Sequence, residues 1–386
     1  VLYNVNGFLA DFRRAQNNGN LALASAGTYN PSYNAAIAGS QPLTVFPQLS
    51  SGGLLTNATI VNLIRTGQIG SLADTYMTNR LNGSVSFYTN PNLQGANGII
   101  NGAYSNFHSI QLQATRRTRN GLQVQFSYVY GKALSNASGD LQSNFEPYLD
   151  NANPNLERQR SPFDIRHNFK ANYVYELPFG QGKKWSGNSL VNRFIGGWQV
   201  AGIWAYQSGA PFSILSGYGT LNRAGRSSAT NTASVAGATM DQLAPLTSGV
   251  FRSGSTLYFL SPTLLNPDGT GIGTNQPGSN AFQGQIFYNP DAGTLGNLQR
   301  RAFTGPWDLG WDMSVIKRIS LTERQKLDLH FDFFNTFNHP TYLMSPSSAG
   351  DSGTTGVYTI NSTTFGQFTS TSRDARQIQI GARYSF

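Results

Sequence analysis

The residues able to do chemistry are few and scattered. The four histidines, His108, His167, His330 and His339, occur in no HExxH arrangement and have no second ligand at metal spacing, so they read as turn or lumen positions. Asp328, His330 and Asp332 fall two residues apart on one face of an alternating segment. An Asp/His proton-transfer pair could be built from them, but polar side chains facing a wet lumen are the simpler content of such a face. The stretch Asp268-Gly-Thr-Gly-Ile-Gly has the glycines of a phosphate loop but lacks the Lys-Ser/Thr and a following helix, and reads as a turn. There is no cysteine, which removes thiol catalysis, thiolate metal sites and disulfides. The expectation is a chain that is not an enzyme, with no catalytic, metal or cofactor site.

What would position these residues is set by composition and period. Charged residues make 12% of the 386, about half the globular norm of roughly 25%. Aromatics also make 12%, and the net charge is +9, which excludes disorder of the whole chain by self-repulsion. No run approaches the roughly 18 apolar residues of a membrane-spanning helix. The positive charge raises nucleic acid as a partner, yet Arg116, Arg117 and Arg119, then Lys183 and Lys184, then Lys317, Arg318, Arg324 and Lys326 sit in separate turn regions. No nucleic-acid partner is expected. The chain opens on Val1 without an initiator Met or a signal peptide, as expected of a mature chain or a fragment.

Period two recurs in segments of about ten residues. Ile110, Leu112 and Ala114 alternate with Gln111, Gln113 and Thr115. Beyond the turn Arg119-Asn120-Gly121, Leu122, Val124, Phe126, Tyr128 and Tyr130 alternate mostly with polar residues, and Asn-Gly between two such runs signals a hairpin. Trp307, Leu309, Trp311, Met313 and Val315 oppose Asp308, Gly310, Asp312 and Ser314. Leu327, Leu329, Phe331 and Phe333 oppose Lys326, Asp328, His330 and Asp332. The strands expected are 1–14, 105–118, 121–134, 166–178, 197–208, 307–319, 325–337 and 375–386. Long connections at 15–103, 136–165, 209–306 and 338–374 alternate with shorter ones, the asymmetry of a transmembrane antiparallel β-barrel with short periplasmic turns and long extracellular loops. Leu54–Met77, with Ile60, Leu63, Ile64 and Leu72 interrupted by Gly67 and Gly70, should give two short helices packed on the rim. A soluble sandwich or propeller would share the alternation, but no blade period recurs.

The stretches Ala114–Ser135, Asn153–Trp185, Gly196–Ile214 and Phe331–Tyr342 resemble the barrel of Oar-like TonB-dependent outer-membrane receptors, as do DFRRAQNNGNLALAS and the final RQIQIGARYSF. The resemblance covers nearly the whole chain, most weakly at 215–300. It implies a 22-stranded barrel, a plug, an N-terminal domain often linked to carbohydrate binding, and the bacterial outer membrane as location. About eight strands, no plug and no TonB box are found, so the chain is expected to be a fragment, residues 1–386 forming the C-terminal part of the barrel.

The function expected is a receptor or transporter barrel that binds or takes up an unidentified ligand, carbohydrate or peptide, through its external loops. The alternative is a structural or adhesive surface barrel without transport. Expected partners are outer-membrane lipid, the barrel-assembly machinery and, through the missing plug region, the TonB system. Ile378, Ile380, Ala382, Tyr384 and Phe386 alternate with polar residues up to the end of the chain. In proteins resembling this one, a terminal Phe with an aromatic two before it is the signal read by the assembly machinery, and these five residues are assigned that role.

Overall fold

The computed structural model describes residues 6–88, 90, 98, 101–136, 148–222, 231–273, 281–322, 324–342 and 356–386. Seven long strands run up and down in sequence order: β1 (Ser105–Arg119), β2 (Leu122–Ser135), β3 (His167–Glu176), β4 (Trp198–Gln207), β5 (Asp308–Ser320), β6 (Lys326–Phe334) and β7 (Gln377–Ser385). The two residues Gln159–Arg160 pair with the end of β2 as an eighth strand. Every pairing is antiparallel. The β1–β2 turn is closed by Asn120 and Gly121, whose φ of 55° and 80° suit the primed turn that matches strand twist. Among the described residues the sheet is not closed on itself: β1 and β7 are its edges.

Over the described residues of the span Val1–Arg14, where an eighth long strand is expected, the chain is helical instead. Residues 1–5 lie outside the described set, and Phe8–Ala26 is a helix, α1, bounded by Gly7 and Gly27. Its buried residues, Phe8, Asp11, Phe12, Ala15, Asn18, Gly19 and Ala22, recur every three or four positions, so the period is helical. The segment 54–77 does give two helices, α2 (Ala58–Arg65) and α3 (Ile69–Thr78). They pack with Phe8, Phe12, Phe46 and Phe87 into a core of their own instead of lying on the strand rim, because Ile60, Ile64, Leu72 and Tyr76 form one apolar stripe that α1 covers.

A second core, built from Phe212, Ile214, Phe259, Phe287, Phe303, Ile360 and Phe365, joins the 209–306 connection to the one that follows β6. The first core is stitched to the 209–306 connection by the amides of Gly70 and Ser71 donating to Gly219 O, and by Arg13 Nη2 donating to Ala292 O at 2.8 Å. The long connections at one end of the sheet are therefore a folded cap. At the other end are short turns and the connection 177–197, which carries the helix α4 (Ser189–Ile195).

Candidate functional site

Register joins the alternating residues into one apolar face seven strands wide. Reading across the middle, Ala114, Phe126, Ala171, Trp204 and Trp311 are successive partners, and Met313, Phe333 and Ile378 continue one level away. The rings pack edge to face, Phe126 on Phe169 at 4.3 Å and Phe169 on Trp204 at 4.7 Å. Gly202 leaves room for the Tyr173 ring, whose hydroxyl accepts from Trp311 Nε1 at 3.2 Å; a Cβ on Gly202 would sit 2.7 Å from that hydroxyl.

Aromatic belts border this face at both ends. At the cap end Tyr206 stacks on Trp307 at 4.7 Å, Trp307 on His167 at 5.6 Å, and Tyr128 meets His167 Nδ1 at 2.9 Å, with Arg166 over the Tyr130 ring. At the turn end stand Tyr175, Trp198, Tyr384 and Phe386. Tyr206 and Trp198 are eight residues apart on β4, about 26 Å at 3.3 Å per residue. At a tilt of about 40° that gives a height of about 20 Å, close to the roughly 25 Å apolar band of outer-membrane barrels.

The opposite face is polar and charge-matched. Arg318 and Arg383 flank Asp328 in register, and Ser314 donates to the Asp332 carboxylate. His330 lies between Ile316 and Gly381 in register. Near the cap, Arg373 Nε donates to Asp308 Oδ1 at 3.1 Å, and its guanidinium covers Gly310, where a Cβ would meet it at 2.5 Å. This contact ties the connection between β6 and β7 to the polar face.

Buried charges lock the cap to the strand ends. Asp164 accepts from Ala133 N at 2.7 Å and from Arg160 Nε at 2.8 Å, and Arg160 Nη1 reaches Thr304 Oγ1. Arg300 Nη1 donates to Glu157 Oε2 at 2.9 Å with both side chains buried. The connections 136–165 and 209–306 thus share one charged core. Asp11, fully buried in α1, accepts from the amides of Thr44, Val45 and Phe46 at 2.8–3.0 Å and fixes the entry to the cap's first core.

A family model described as an outer membrane beta barrel domain matches residues 12–379. The chain belongs to the outer membrane β-barrel domain family. It is therefore a protein of the bacterial outer membrane, and its apolar face is the kind of surface that meets hydrocarbon there. No curated protein and no solved structure matches the chain.

Four of the five residues assigned to assembly stand on this face of β7, and the fifth follows its last residue. Ile378, Ile380, Ala382 and Tyr384 lie opposite Phe333, Phe331, Leu329 and Leu327, and Phe386 follows the last pair with its ring 5.9 Å from Tyr384. His167, read from sequence as a turn or lumen residue, stands on the apolar face within the aromatic belt, and His108 shares that face opposite Lys132. Alternation alone does not assign a histidine to a side, whereas register with Tyr130 does. Asp268 forms a local turn: its carboxylate accepts from the amide and hydroxyl of Thr270, which holds it below the usual carboxylate range. Among the described residues no cluster of three metal-capable side chains occurs. Sequence reading missed Asp11, Glu157, Asp164, Arg160 and Arg300, whose partners lie up to 144 positions away along the chain; the lone acid among the apolar positions of 8–22 was the available signal for Asp11.

Proposed function

We propose that this domain is a sector of the wall of an Oar-like TonB-dependent receptor, a barrel of about 22 strands. Its cap faces the outside, where it binds a carbohydrate or peptide ligand, and its short turns face the periplasm. The observation that carries the reading is the cap itself. The long connections form two apolar cores and are tied together by hydrogen bonds and, at the connection 136–165, by the buried Glu157–Arg300 pair, a preorganised platform at one end of the sheet. A preorganised surface spends less free energy on ordering when a ligand binds. The open edges at β1 and β7 support the large barrel, because in hydrocarbon each unpaired backbone group costs several kcal/mol until further strands cover it.

The test is made on the full-length protein that carries this domain. Uptake of labelled oligosaccharides and peptides by intact cells should require both the receptor and an energised TonB system, and should stop when the cap segment 231–303 is replaced by a short linker in a barrel that still assembles. Uptake that is independent of TonB, or none at all with a normally assembled surface barrel, would favour a structural or adhesive role.

A further inference from the structure

The basic residues that are dispersed in the sequence come together in the fold. The up-and-down topology brings the β1–β2 turn, the connection 177–197, the β5–β6 turn and the end of β7 to one rim. The described side chains of positions 115–123, 175–199, 316–328 and 382–386 include ten of the 27 Lys and Arg residues but two of the 18 Asp and Glu, a net +8 against +9 for the whole chain. Arg116, Lys183, Lys184, Arg193, Arg318, Lys326 and Arg383 are exposed there.

Two apolar features share that rim on the lipid-facing side. A groove of about 460 Å³ lies between Arg116, Asn120, Leu122, Tyr173, Tyr175 and Val200, with Arg116 as its charged residue. Beside it, Lys317 is turned onto the apolar face by its pairing with Trp198 and Leu329 and is buried against α4. Its ammonium donates to the carbonyls of Arg193 and Phe194 at 2.9 Å and to that of Gly196, and lies 5.1 Å from the Trp198 ring. A cation on the last carbonyls of a helix fixes that end. The helix so held leaves Leu190 and Phe194 68% and 75% exposed. Large exposed apolar side chains, a groove continuous with the hydrocarbon-facing surface and a band of cations match one ligand chemistry, a lipid with a negative headgroup.

We propose that this rim is a binding site for anionic phospholipids of the periplasmic leaflet. Headgroup phosphates sit on Arg116, Lys183, Lys184 and Arg193, one acyl chain occupies the Tyr173/Tyr175 groove, and α4 dips into the same leaflet through Leu190 and Phe194. The leaflet assignment rests on the orientation proposed above; the lipid site itself does not.

Native mass spectrometry of the full-length protein in detergent, with phosphatidylglycerol and phosphatidylcholine at equal concentration, tests it. Phosphatidylglycerol should be retained preferentially, and the variant R116Q/K183Q/K184Q/R193Q should lose that retention about tenfold or more. R252Q/R376Q, which removes two cations at the cap end, should retain the lipid as the native protein does. The heat-modifiable folded fraction of each variant separates lost binding from lost folding. Equal retention of the two lipids, unchanged retention in the quadruple variant, or displacement of phosphatidylglycerol by added inorganic phosphate would overturn the proposal. Retention in detergent is blind to sidedness, so a wrong orientation shows in surface labelling of cells and not in this assay.

Discussion

Phe331 and His330 are neighbours on β6, yet register sends them to opposite sides of the sheet. Phe331 stands between Val315 and Ile380 on the apolar face, and His330 between Ile316 and Gly381 on the polar one. Phe331→Arg should cost about 2–4 kcal/mol of barrel stability, as a cation near the bilayer midplane does, while His330→Arg should cost much less. Urea titration of the barrel folded into vesicles reads the difference, and the reverse order would invert the face assignment. In the cap, Asp11→Ala withdraws the acceptor of three buried amides and should destabilise that core by about 2–4 kcal/mol. Glu157→Gln leaves the Arg300 guanidinium buried beside a neutral amide and should cost about 3 kcal/mol. Both losses should appear as accelerated proteolysis of the cap with the strands still protected. The sheet faces were legible at this scale because alternation is local. The pairs that hold the cap were not, since nothing near Glu157 in the sequence points to Arg300.

Among the elements, the strands followed from period two and α1 did not. Val1, Tyr3 and Val5 suggest alternation, and the helical spacing of Phe8, Phe12, Ala15 and Ala22 begins only afterwards. A longer window would have found it. The strand pieces of the cap, such as Pro211–Phe212 and Phe303–Thr304, are two residues long and exist only because they pair with each other, so no local pattern could announce them. At the other extreme β7 was legible to its last residue. Its role in assembly is argued from Phe386, which is 94% exposed and adds no burial to the sheet. Deletion of Phe386 from the full-length protein should therefore lower the heat-modifiable, folded fraction in outer-membrane preparations. Truncation of the half-buried Phe333 to Ala should affect stability more than yield. Equal yields would leave Phe386 as one more aromatic of the belt.

The molecule as a whole has two unlike ends. One carries a cap whose charges are matched internally, the other a rim that holds nearly all of the net charge. Sequence showed the basic clusters as separate turns, and only the antiparallel order of seven strands puts them side by side. The orientation of those ends is the central claim, and the absence of cysteine from these 386 residues makes it measurable once any cysteine elsewhere in the full-length protein is replaced by serine. Ser253→Cys places a single thiol at an exposed position of the cap, and Ser186→Cys places one in the exposed connection at the opposite rim. On intact cells expressing the full-length protein, a membrane-impermeant maleimide should label Cys at 253 and leave Cys at 186 unreacted until the outer membrane is permeabilised. Labelling of 186 on intact cells, or of both positions alike, would contradict the account.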